Sequence, residues 1–122
     1  MPDRYTDKKS ILPPTYLEFI DSINGWEGDL GEEFDFDYVM IWAKETIQER
    51  WDAYQMTQYL DERWFPFGSN GGAEMLCFDL ASESDAVFWI PYLGMSGEEA
   101  ILRYKSFSEV ARAVKDKSSS GS

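Results

Sequence analysis

Ser69-Asn70-Gly71-Gly72 stands between two apolar runs, Trp64 to Gly68 and Glu74 to Leu80. Asn-Gly and Gly-Gly reach positive φ at little steric cost, so this segment reverses the chain as a hairpin turn. The flanking runs are then antiparallel strands. Pro66 has no N–H to donate, which favours an edge position or a bulge. Met75, Cys77 and Asp79 share one face of the second strand. A polar turn, Ala81 to Asp85, leads to a third buried strand, Ala86 to Pro91. Tyr92 to Glu98 holds Gly94 and Gly97 and is expected to be a loop, with a fourth strand over Glu99 to Lys105.

Three helices frame these strands. Leu12-Pro13-Pro14-Thr15 opens the first, since proline suits the first turn. Tyr16, Leu17, Phe19, Ile20 and Ile23 follow at helical spacing, and Asn24-Gly25 ends it. Trp26 to Gly31 is a turn or short strand. Phe34 to Tyr38 alternates apolar and charged residues and runs into Val39-Met40-Ile41-Trp42, which predicts a strand from Asp35 to Trp42. A ragged helical period covers Ala43 to about Tyr59, and its second half, Gln55 to Glu62, has poor periodicity and is equally readable as a loop. Ser106, with Glu109 three residues on, has capping-box spacing and opens a last helix with Phe107, Val110, Ala111 and Val114 on its apolar face. Lys115 and Lys117 suit its C-terminal dipole.

The expected class is α+β: a single domain with an antiparallel sheet of about four to six strands, packed with N-terminal, middle and C-terminal helices. A chain of 122 residues suits one domain. Residues 1–10 form an N-terminal extension, 11–117 the domain and 118–122 a flexible tail.

The charge is lopsided. There are 11 basic and 23 acidic residues, a net charge of -12. Residues 21–40 alone carry seven acids (Asp21, Glu27, Asp29, Glu32, Glu33, Asp35, Asp37) and no base, while residues 101–122 sum to +3. Such a chain repels bare nucleic acid. A block this acidic steers a basic protein partner or serves only as a solvated loop. No apolar stretch is long enough to span a membrane, and Met1 to Ser10 has no apolar signal core. A cytoplasmic protein with a reduced thiol is expected.

Little organised chemistry is present. With no histidine, Ser-His-Asp and Cys-His catalysis and His-bearing metal sites are excluded. Cys77 is the single cysteine and sits in an apolar strand, as an inert buried thiol. Asp35 and Asp37, or Glu32 and Glu33, offer paired carboxylates, but nothing raises the pKa of one member as an acid catalyst requires. Asp29 to Val39 breaks the calcium-loop pattern. The glycines of Ser69 to Gly72 lack the helix and Lys-Ser/Thr of a phosphate loop. The expectation is no enzyme, no catalytic residue, no metal and no cofactor. Trp26, Trp42, Trp51, Trp64 and Trp89 are mostly core candidates.

Four segments together resemble the SUKH superfamily, the Smi/Knr-like domains. They are Leu12 to Phe19 followed by Asn24-Gly25; Tyr38 to Trp42 leading into a helix; Phe65 to Glu74 running into Cys77-Phe78-Asp79-Leu80; and Ser106-Phe107-Ser108-Glu109-Val110. The resemblance spans about residues 11 to 115. Family members usually carry a helix before the Leu-Pro motif. Only Met1 to Ile11 is available for it here, so that helix is short or absent. Gly72-Ala73 departs from the further glycine that many members carry.

The resemblance implies a non-enzymatic binding domain. Many bacterial members look like immunity proteins that neutralise a toxin, often a nuclease or deaminase, and fungal members are regulatory scaffolds. Joined to the charge, it makes a basic toxin domain the expected partner. The expected contacts are Glu27, Asp29, Glu32, Glu33, Asp35 and Asp37, with Trp26 as an anchor. The alternative is a regulatory interaction domain without a toxin partner. The chain is expected to be a monomer or weak dimer.

Overall fold

The computed structural model describes residues 3–120, and the side chains of 3–117. Met1 and Pro2 of the expected extension lie outside the described residues, as do Gly121 and Ser122 of the expected tail.

Six strands form one antiparallel sheet in sequence order: β1 (Trp26–Asp29), β2 (Tyr38–Ile41), β3 (Trp64–Ser69), β4 (Glu74–Asp79), β5 (Val87–Pro91) and β6 (Ile101–Tyr104). Each strand pairs with the next, β2 and β3 included, although a helix-bearing segment from Trp42 to Arg63 separates those two. Four α-helices are present among the described residues: α1 (Arg4–Lys8), α2 (Pro14–Ser22), α3 (Ile47–Ala53) and α4 (Phe107–Ser120). The α+β reading therefore holds.

The hairpin turn between β3 and β4 forms as expected. Asn70 Oδ1 accepts from the N–H groups of Gly72 and Glu74 at 3.0 and 3.2 Å, and Gly71 takes φ +77°. Pro66 lies beside a register shift between Pro66 and Gly68, which is the bulge that a strand proline needs. β2 pairs with β3 only at Ser69 and Gly68, so Pro66 is past the end of that ladder.

Tyr16, Phe19 and Ile20 of α2 are buried, with Pro14 in its first turn. Tyr16 meets the rings of Phe67, Phe78 and Phe107 at 5.4, 5.2 and 5.6 Å between centroids, and Phe67 stacks on Phe78 at 4.3 Å. This aromatic cluster joins α2 and α4 to the centre of the sheet. Asp85 fastens the two helix starts together. Its Oδ2 accepts from Thr15 Oγ1 (2.8 Å), Ser106 Oγ (3.0 Å) and Ser108 N (3.3 Å). A carboxylate is favoured there by both helix dipoles. Ser106 Oγ also accepts from Ser108 N at 3.1 Å, so it caps α4 through the second turn residue.

Several elements are shorter than the sequence predicts: the strand expected over Glu99 to Lys105 is only Ile101–Tyr104, and two others differ more. The strand expected from Asp35 to Trp42 begins only at Tyr38 and ends at Ile41. Asp35 and Phe36 take φ of 53° and 58°, in the left-handed region, because Phe36 N–H returns to Gly31 O (2.9 Å) and closes a turn. The helix expected over Ala43 to Tyr59 is one 3-10 turn, Lys44–Thr46, followed by α3. It stops where Gln55 turns left-handed, at φ 51°.

The first residues form a short helix, and Arg4 and Tyr5 within it are buried. The Arg4 guanidinium lies over the Trp51 ring, donates to Trp64 O at 2.8 Å and pairs with Glu62 at 3.1 Å. The N-terminal segment is thereby tied to α3 and β3.

Candidate protein-binding surface

The loop from Leu30 to Asp37, between β1 and β2, carries most of the acidic block. Leu30 is buried and Phe34 packs edge-on against Tyr104, with centroids 5.6 Å apart, so apolar residues hold both arms to the body of the protein. Glu32 and Glu33 lie in a 3-10 turn between these anchors.

Ion pairs hold the ends of the loop. Asp29 Oδ1 meets Lys117 Nζ at 2.6 Å and accepts from Gly31 N at 3.1 Å. The ammonium of Lys117 holds the Asp29 carboxyl below its usual range. At the other end, Asp37 Oδ2 accepts from Arg103 Nε and Tyr104 Oη, both at 2.8 Å. Arg103 closes a second bond from its terminal nitrogen. Burial, and then the bond to Asp37, push the Tyr104 phenol upward, so it stays a donor at neutral pH.

The seven expected contact residues therefore divide. Asp29 and Asp37 are occupied as fasteners. The Glu27 carboxylate accepts from Tyr38 Oη at the exposed β1–β2 edge. Glu32, Glu33 and Asp35 are exposed, and no ion pair holds them among the described residues. Trp26 is half-buried and packs against the core, with its ring across Gly28, where an added Cβ would lie 3.0 Å from Cη2.

Phe36 is the residue the sequence reading missed. It stands beside Asp35 at the tip of the turn and is 64% exposed. Its place in an apolar–charged alternation concealed it, because that pattern predicts a strand face turned inward. The cations that meet the block, Arg103 and Lys117, both come from the segment with a +3 charge. That asymmetry was the available signal for the pairing.

No group of three or more His, Cys, Asp or Glu side chains among the described residues could hold a metal ion. Cys77 is fully buried, and burial pushes its thiol up, so it is a poor nucleophile. No helix among the described residues is long and apolar enough to cross a membrane. Residues 9–112 match the model of the SMI1 / KNR4 family (SUKH-1). No curated protein matches the chain.

Proposed function

We propose, from the premise that this chain belongs to the SMI1 / KNR4 family (SUKH-1), that it is a protein-binding domain that acts as an immunity protein. Its partner is a basic toxin domain, of nuclease or deaminase type, whose substrate groove it occupies. A protein that holds nucleic acid presents cations, and an acidic inhibitor is complementary to it and associates fast.

One observation carries the placement of the surface. Glu32, Glu33 and Asp35 face solvent around the exposed ring of Phe36, on a loop held at both ends by Asp29–Lys117 and Asp37–Arg103. An apolar ring within a charged rim has the make-up of an interface hot spot, and a loop already held in place loses less entropy on binding. Phe36 takes the anchor role expected of Trp26.

The test is co-expression with the neighbouring reading frame. Toxicity of that neighbour alone, with rescue and co-purification by this chain, is the expected result. A harmless neighbour that does not co-purify would leave the regulatory-scaffold reading in its place. Within a complex, reversing Glu32, Glu33 and Asp35 to lysine should slow association about tenfold or more and flatten its salt dependence. Unchanged association would move the contact surface elsewhere without touching the function.

A further inference from the structure

The other edge of the sheet has its own unmatched feature. β6 is a terminal strand, and among the described residues its ladder runs to β5 alone. Ile101 is 66% exposed and Leu102 53%. Neighbouring strand residues point to opposite faces, so β6 shows apolar side chains on both. Natural sheets usually blunt such an edge, because its free N–H and C=O groups will pair with another strand.

Charge along this edge is ordered. Glu98 and Glu99 precede Ile101-Leu102, and Arg103 and Lys105 follow. Residues 98–105 therefore sum to zero in a chain of net charge -12. The segment is acidic at its start and basic at its end, so it is complementary to itself when two copies run antiparallel.

The geometry points to a second copy of this chain as the occupant of the β6 edge, paired antiparallel about a two-fold axis at Leu102. In that register Leu102 meets Leu102 and Ile101 lies opposite Arg103, while Glu99, closing the 3-10 turn before β6, and Lys105, just past it, flank the ladder with opposite charges on the two copies. A two-fold contact of this kind uses the same patch on both copies and closes on itself. Arg103 does not obstruct it. Its side chain turns back over the Trp89 ring, 4.8 Å from the centroid, and on to Asp37.

The register shift opposite Val87 and Phe88 leaves Arg103 without a β5 partner. That bulge limits the pairing stretch, and the net charge of the two copies opposes their approach. The dimer is therefore weak, with a dissociation constant of about 10 μM to 1 mM, as small interfaces give. Added salt screens the repulsion between the chains more than the short cross-strand contacts and tightens it.

Sedimentation of the full chain over a concentration series tests this. The expected result is a mass that rises toward twice the monomer, with amide exchange in β6 slowing in step. Leu102→Glu places two like charges on the axis and should abolish the rise. Glu99→Lys or Lys105→Glu alone should raise the dissociation constant about tenfold, and the two together should restore it to within about threefold. These three positions are exposed or flank the edge, and circular dichroism checks that each variant keeps its fold. A chain that stays monomeric to about 1 mM overturns the proposal. So does a dimer indifferent to Leu102→Glu and to the charge swap. Protection of β6 only when another protein is added assigns the edge to a foreign strand and overturns it as well.

Discussion

The guanidinium carbon of Arg4 lies 3.6 Å from the centroid of the Trp51 ring. Arg4 is 7% exposed, although it belongs to the first helix of the fold. Its backbone N–H donates to Gln48 Oε1 at 2.8 Å and one terminal nitrogen donates to Trp64 O at 2.8 Å. A flat cation fits this slot because it stacks and donates in its own plane at once.

Arg4→Ala should lower unfolding stability by about 2–3 kcal/mol, from the lost cation–π contact and the Trp64 carbonyl left unpaired. Arg4→Lys should recover little, since an ammonium cannot stack and fork together. Urea unfolding of both variants measures this. A change below about 0.5 kcal/mol, the range of ordinary surface substitutions, would mean the Arg4 side chain adds nothing to the fold.

Gly68 is a close-approach position. A Cβ there would sit 2.3 Å from the carbonyl oxygen of Met40 on β2. Backbone cannot yield as a side chain does, so Gly68→Ala should destabilise by about 3 kcal/mol and loosen the β2–β3 ladder. Faster amide exchange at Met40 and Ile41 would locate the damage. A variant as stable as the parent would exclude this contact.

Tyr16 Oη is buried inside the aromatic cluster, with no hydrogen-bond partner among the described residues. Removing an unsatisfied polar atom without changing the ring is favourable, so Tyr16→Phe should gain about 1 kcal/mol. Thermal denaturation tests the sign. A loss of that size would reveal an internal partner for the hydroxyl.

Stability should fall at both ends of the pH range, for opposite reasons. Lys8, Arg63 and Lys117 hold the carboxyls of Glu62, Asp79 and Asp29 below their usual values. The stabilisation from each is complete above the unfolded carboxyl range of about 4 and is lost as pH falls through the lower folded value. Burial pushes Tyr92 up to about 12 and also raises Tyr16 and Tyr104. Their contribution is complete below the unfolded phenol value of about 10 and disappears as pH rises through the folded values. The buried Cys77 thiol, also pushed up, adds to the alkaline loss from its unfolded value of about 8.5, so melting temperature should hold level only between about pH 5 and pH 8. The last part of the tyrosinate absorbance should rise together with alkaline unfolding, and ionisation of all seven tyrosines well before it would contradict burial of these phenols.

Local signals brought most of the fold within reach of the sequence. The Asn70-Gly71 turn, the proline-opened α2 and the serine before α4 each depend on neighbours a few residues away, and each forms as expected. The strand expected from Asp35 to Trp42 forms only from Tyr38 to Ile41, because the alternation before it has two explanations. Phe34 is held by the distant Tyr104, and Phe36 is left outside, so the same pattern serves a turn. For the candidate surface, the acidic block was legible as charge, but which acids remain free was not.

The sequence by itself determined the class of the protein, the pairing of neighbouring strands and the excess of negative charge, because turn chemistry, apolar period and ionisable groups are properties of short segments. Only the tertiary structure decided that Asp37 belongs to Arg103 and Asp29 to Lys117, across 66 and 88 residues of chain. It alone left Phe36 exposed, packed Trp26 half-buried against the core and buried Arg4 against Trp51. Such pairings depend on where a six-stranded sheet brings its loops and helices, and no local rule carries information over that distance.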